Sequence, residues 1–343
     1  MIGGGYGTGR EIVEYFSRFG FLGGLLGLAV AAGGFALLLA VSFEFARCYS
    51  AYDYRRFFRG LLGRWWVVFE VLYLTMFALV VAVVAAASAG LVQQYLHLPG
   101  IFGVAALLLL VILFAFYGRL WVTRVLAYKA LVLSVVFLIY FIIVFSRYSG
   151  RIDAQWHSHA ILSGWALASI RYCLYSSVVI PAMLFATRAI ETRGQAVGAG
   201  ITSAALGIVP AVLLHISFGA GYPQVNAQAI PLYWMVSSLQ LPLLTAAYLA
   251  ILFGSLFDVG IGFIHGINER IDGWSLERRG KPMSRPVRAG IALSCLLLSG
   301  ALSQLGIVRL IAEGYGSLAY GFLFLFVVPL LTVGMFRISH AAK

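Results

Sequence analysis

Five glycines stand among the first nine residues, MIGGGYGTG, and the chain runs from them directly into Arg10, Glu11 and a long apolar sequence. A glycine costs about 1 kcal/mol against alanine in a helix interior. Irregular backbone at membrane depth persists only where it is buried in protein or lines a wet cavity, because unsatisfied peptide groups are costly in hydrocarbon. Gly3, Gly4, Gly5, Gly7 and Gly9 therefore either lie outside the bilayer or form an unwound segment able to hold a guest. In the second case the free N–H groups from Gly9 onward attract a carboxylate through the helix dipole, with Tyr6 and Thr8 beside it. Glu11, in the first turn of the following helix, either caps the dipole or meets a polar substrate or a proton.

A second candidate lies in SIRYCLYSSVVIPAM. Pro181 removes a backbone donor, Ser176 and Ser177 can bond to freed carbonyls, and Tyr172 and Tyr175 can face a cavity. Helices interrupted at corresponding points of two halves are the best sequence pointer to a transporter site. An ordinary proline kink, with the serines satisfied inside the helix, is the competing reading. Arg171 either balances Glu11 or sits in an outer vestibule. Two further charges fall deep in apolar runs. Lys129 lies ten residues from Arg119, or about 15 Å along a helix, and Asp258 lies at a similar depth from Glu269. A lone charge there costs at least about 2.5–3.5 kcal/mol. The two are natural partners, as a coupling or gating pair or as a static ion pair, unless Lys129 snorkels toward the headgroups.

Helices must position these groups. Hydrophobic residues make up 62% of the 343 and charged ones only 10%, and the mean hydropathy is +0.96. A soluble domain carries roughly a quarter charged residues, so the chain is an all-α polytopic membrane protein. Its long apolar runs do not alternate as barrel strands do. No basic segment precedes an apolar one at the start, so a cleavable signal peptide is not expected. A short amphipathic helix is predicted from about Arg10 to Phe19. Nine full spans follow near 21–47, 65–93, 101–118, 120–146, 163–188, 195–218, 242–267, 287–307 and 315–337. The polar segment 147–162 separates two halves, 1–146 and 163–338. The uncharged connection 219–241, with Pro223 and Pro231, is either a hairpin dipping back over the protein or an interfacial anchor through Tyr233 and Trp234.

The net charge of +12 resembles a nucleic-acid signature, but the basic residues sit in short loops. One set of loops holds Arg47, Arg55, Arg56, Arg59, Arg64, Arg119, Arg124, Arg188, Arg193, Arg270, Arg278, Arg279, Lys281, Arg285, Arg288, Arg337 and Lys343; the opposite set holds Arg18, Arg147, Arg151 and Arg309. This asymmetry predicts that the first set, and the C-terminus with it, is cytoplasmic. The bilayer, not nucleic acid, is the expected partner. Cys48, Cys173 and Cys295 are too scattered for a disulfide framework. Exposed His157 and His159 are a weak metal candidate, and His215 and His265 read as packed polar groups. No metalloprotease, P-loop, nucleophile-elbow or dinucleotide motif is present, so neither an enzyme nor a cofactor is expected.

The run GGGYGTGREIVEYF resembles the first-helix motif of the YkvI-like family of bacterial membrane proteins, and GFIHGINERI, 262–271, resembles its eighth-helix signature. That family is grouped with the amino acid–polyamine–organocation transporters. The resemblance implies a LeuT-type fold: an inverted repeat of five plus five helices, with helices 1 and 6 unwound at a midplane substrate site. It places the first break at Gly4 to Gly9 and the second at about Tyr172 to Ser177, Lys129 on helix 5 and Asp258 on helix 8. In some relatives of this fold a helix-5 lysine stands where a sodium ion sits in others, and the resemblance therefore implies proton rather than sodium coupling here. The inner half of helix 1 is missing from this sequence, either truly or because the start lies upstream of Met1.

The expected function is a secondary transporter of a small polar solute, an amino acid or related amine, coupled to a proton or to sodium, in the bacterial inner membrane. Gly4, Gly5, Tyr6, Gly7, Thr8, Gly9, Glu11, Tyr172, Tyr175, Ser176 and Ser177 are its candidate substrate site, and Lys129 and Asp258 its coupling pair. A non-transporting sensor or interaction subunit on the same fold is the alternative.

Overall fold

The computed structural model describes the backbone of residues 4–117, 119–279 and 284–341; side chains are described except at 4–5, 95–96, 110–131, 341 and most positions between 261 and 296. Among the described residues all regular structure is helical. In chain order the helices are α1 Gly4–Thr8, α2 Arg10–Tyr15, α3 Phe21–Cys48, α4 Tyr54–Leu62, α5 Trp66–Leu96, α6 Ile101–Tyr117, α7 Arg119–Arg147 and α8 Ser149–His157. The second half holds α9 Trp165–Ser176, α10 Ile180–Met183, α11 Arg193–Gly219, α12 Pro231–Ser238, α13 Pro242–Arg279, α14 Arg285–Ser303, α15 Ile307–Arg309, α16 Gly316–Phe322 and α17 Met335–Ala341. Among the described residues six stretches are long and apolar enough to cross a membrane, and α8 adds a bend of 74° after α7.

Small residues set the packing at the centre. The α3 glycines face α9 and α11: a Cβ on Gly24 would overlap the His215 ring, one on Gly27 would meet Ser169, and one on Gly34 would lie 2.8 Å from Cys173 Sγ. From the other side, a Cβ on Gly200 of α11 would lie 2.5 Å from the Ala40 backbone nitrogen. Helices in lipid associate through such close backbone approach, since the bilayer is as apolar as the side chains.

His215 ties this packing to the first helix. Its Nε2 lies 2.8 Å from the Phe21 carbonyl, and its Nδ1 lies 2.8 Å from Ser17 Oγ. A carbonyl can only accept, so Nε2 carries the proton and Nδ1 accepts from the serine. The ring thus holds the turn between α2 and α3 against α11. In His215→Ala the buried Ser17 hydroxyl loses its partner, at about 1–3 kcal/mol, and the Phe21 carbonyl loses the donor that the ring adds to its helix. A markedly lower melting temperature is expected, which thermal unfolding in detergent measures; an unchanged one would show that the clamp carries no stability.

The connection 219–241 dips back into the protein. Pro231 starts α12, where a missing N–H costs nothing, and Pro231, Leu232, Tyr233, Met235 and Val236 are buried against α1, α2, α11 and α13. At the other end of the chain, Ile307–His340 is one apolar run containing three π-helical turns, at Leu310–Tyr315, Leu323–Val327 and Leu330–Gly334.

Two expectations about local conformation need correction. Gly4–Thr8 is a helical turn, not an unwound segment; the break is confined to Gly9. Tyr172 to Ser176 is regular α-helix as well, and the chain tightens to 3₁₀ geometry first at Ser177–Val179 and again at Leu184–Ala189. In each place a tyrosine hydroxyl donates to a backbone carbonyl, Tyr248 to Gly7 and Tyr73 to Val178.

Candidate substrate site

Gly9 has φ 74° and ψ −2°, the left-handed conformation that only glycine adopts cheaply. Its N–H donates to the Tyr6 carbonyl at 3.2 Å and its own carbonyl accepts from Val13 at 3.2 Å. One residue therefore ends α1 and begins α2. The Arg10 N–H donates to Thr8 Oγ1 at 3.3 Å, and Thr8 is buried. The space over Gly9 is filled: an added Cβ would lie 2.6 Å from Phe218 Cζ and 3.2 Å from Leu232 Cβ. Gly7 is equally confined, 2.9 Å from Leu252 Cδ1 by the same measure, and its carbonyl accepts from the Tyr248 hydroxyl at 2.7 Å.

The charges of α2 divide between two faces, as i, i+4 spacing requires. On one face Glu14 accepts from Arg10 at 2.8 Å and also pairs with Arg18. The same Arg10 guanidinium donates to the carbonyls of Asn226 and Gln228 in the hairpin, at 3.0 and 3.1 Å. On the other face Glu11 Oε2 accepts from the Tyr175 hydroxyl at 2.9 Å, and Tyr15 follows one turn later. Glu11, Arg10 and Glu14 are all buried.

Tyrosines from both halves meet here. The Tyr6 hydroxyl lies 2.8 Å from that of Tyr172 and donates to the Gly207 carbonyl at 3.3 Å. Ring centroids of Tyr15 lie 5.8 Å from Tyr172 and 5.2 Å from Tyr175, Tyr172 and Tyr175 are 5.4 Å apart, and Tyr315 is 4.8 Å from Tyr175. The Tyr15 hydroxyl donates to the Ile311 carbonyl at 3.0 Å, inside a π-helical turn.

The structure thus brings Tyr6, Glu11, Tyr172 and Tyr175 together, with Gly7, Thr8 and Gly9 one turn away. Ser176, the last residue of α9, is half-buried beside Tyr172. Ser177 instead donates to the Leu174 carbonyl of its own helix at 2.6 Å. The tightened stretch before Pro181 is served by Tyr73, whose hydroxyl donates to the Val178 carbonyl at 3.1 Å. Arg171 turns to Tyr320, donating to its hydroxyl at 2.7 Å, and does not balance Glu11. The Lys129 side chain lies outside the described residues; Asp258 is half-buried on α13 and holds an interaction of its own. No cluster able to hold a metal occurs among the described residues.

Sequence reasoning missed Tyr15, Tyr315, Tyr248 and the Arg10 contact with the hairpin. Tyr15 was within reach of it, four residues after Glu11 on the same helical face. Tyr315, Tyr248 and the hairpin carbonyls have no local signal, because only the stacking of distant helices brings them to the break.

A helix broken at a glycine, packed on a tightened partner helix and wrapped by membrane spans, defines a class, and the fold is of the LeuT type. The chain can be superposed on a Na+-coupled sialic acid symporter, solved in a substrate-bound outward-open state, with a TM-score of 0.60 over 96% of this chain and 76% of that one, at 13% identity. In sequence it is a homologue of YkvI, described as an uncharacterized membrane protein of Bacillus subtilis (strain 168), at 25% identity over 93% of this chain and 90% of YkvI. No family model matches the chain.

Proposed function

We propose that the protein is a secondary transporter of a small polar solute, an amino acid or related amine, working in a bacterial cytoplasmic membrane with its C-terminus inside. The observation that carries this reading is the break at Gly9, where a buried carboxyl group and tyrosines from both halves converge around a discontinuous helix. Discontinuous helices at the interface of two repeats, here 1–146 and 163–338, are where carriers of this architecture hold their solutes. The sialic acid symporter supports the carrier reading through shared fold alone. Lys129 and Asp258 are assigned to coupling, with a proton as the driving ion. Uptake of labelled amino acids and amines into proteoliposomes under an imposed pH gradient tests the whole reading. Lys129→Ala and Asp258→Asn are each expected to abolish gradient-driven accumulation while binding persists. Full accumulation by both variants would remove their role, and binding without flux would turn the reading toward a sensor.

A further inference from the structure

The two carboxyl groups of α2 have opposite surroundings. Glu14 is neutralised by Arg10 and Arg18. Glu11 is buried on the other face, and among the described residues it has no Lys, Arg or His in ion-pair contact. Its hydrogen-bond donor is the neutral Tyr175 hydroxyl. The groups around it are aromatic: Tyr6 from α1, Tyr15 from α2, Tyr172 and Tyr175 from α9, and Tyr315 from the π-helical turn. Arg171, the nearest basic residue of α9 in sequence, is held by Tyr320.

This environment has a sign. A carboxylate and the faces of tyrosine rings both attract a cation, and the ring contribution grows when the site is dry. An anion would be repelled by the carboxylate and by the ring faces. The backbone break offers an anion little in return, because the Gly9 N–H bonds to Tyr6 and the Arg10 N–H to Thr8, while Phe218 and Leu232 cover the glycine. The carboxylate capture expected from the glycine run is therefore disfavoured.

We propose that Glu11 is the counter-ion for an ammonium group on the solute and that Tyr15, Tyr172, Tyr175 and Tyr315 are its aromatic walls, so that the site takes organic amine cations and rejects simple carboxylates. The proposal rests on the carrier reading for its physiological role, but its test is binding.

The full-length protein in detergent is titrated with tetramethylammonium and methylammonium chlorides and with sodium acetate, at fixed pH and ionic strength. Thermal shift and tyrosine fluorescence are followed. A saturable stabilisation by the ammonium probes and none by acetate is expected, because a ligand stabilises only the state it binds. Glu11→Gln should weaken ammonium binding at least about tenfold, and Glu11→Asp should restore part of it. If Glu11→Gln fails to fold, Tyr175 decides: Tyr175→Leu should bind tetramethylammonium several-fold more weakly than the parent, and Tyr175→Phe, which keeps the ring but loses the hydroxyl that Glu11 accepts from, should bind it more tightly than Tyr175→Leu does. Stabilisation by acetate, or undiminished ammonium binding in folded Glu11→Gln or in Tyr175→Leu, overturns the proposal. So does a Glu11→Gln protein that binds the probes normally but no longer responds to a pH gradient, since Glu11 would then carry the proton. Ammonium binding without flux leaves the proposal standing and removes the carrier reading; flux of an anion unaffected by Glu11→Gln does the reverse.

Discussion

Gly9→Ala is expected to lose gradient-driven uptake and to unfold at a clearly lower temperature than the parent. Two costs act together. An alanine held at φ 74° sits in the left-handed region, at roughly 1–2 kcal/mol. Its methyl group would also stand 2.6 Å from Phe218 Cζ and 3.2 Å from Leu232 Cβ, and overpacking a closed interior costs about 1–3 kcal/mol. Relief by rotation is blocked, because the same backbone turn aims α2 at Tyr175 and ends α1 under Tyr248. The two costs can be separated. Phe218→Leu in the Gly9→Ala background removes the ring that the methyl strikes but leaves the backbone strain. The double variant should regain part of the melting temperature, as coupled neighbours do, and little of the uptake. Parent-like uptake by Gly9→Ala alone would show that the break is not part of the transport machinery.

That single residue also marks how far the sequence could be read. Glycine-rich backbone beside Arg10 and Glu11 was legible as irregular, because glycine has few other uses at the head of an apolar chain. The extent of the irregularity was not. Gly4–Thr8 remains helical because its neighbours approach closely enough to repay glycine's low propensity: Leu252 packs on Gly7 and Tyr248 holds its carbonyl. Tertiary packing overrides a propensity of about 1 kcal/mol per residue. Spans read from hydropathy survive well, as 21–47 against Phe21–Cys48 shows, since hydrocarbon thickness enforces their length. The buried hairpin at Pro231–Ser238 was visible as an uncharged connection with prolines. Partner choice was not visible. Tyr6 with Tyr172 and Tyr175 with Glu11 are more than 160 residues apart in sequence, and no local pattern tells a tyrosine which carboxylate it will meet.

The hairpin and the broken helix are expected to loosen together when Arg10 is replaced. The Arg10 guanidinium is buried and is shared among Glu14 and the carbonyls of Asn226 and Gln228. Breaking a buried ion pair by removing one partner costs about 3–5 kcal/mol. The loss here should fall toward the lower end of that range, because Glu14 keeps Arg18, which is half exposed. Arg10→Met is therefore predicted to lower the melting temperature and to speed amide hydrogen exchange across 224–238. Arg10→Lys should rescue little, because a single ammonium cannot span a carboxylate and two carbonyls as a planar guanidinium does. Glu14→Gln added to Arg10→Met removes the uncompensated charge but not the lost tether. The double variant should recover stability while exchange in the hairpin stays fast. That split separates a tether from a simple ion pair: if exchange in 224–238 returns to the parent rate along with the melting temperature, Arg10 serves only to neutralise Glu14, and the hairpin is held by the buried face of α12 alone.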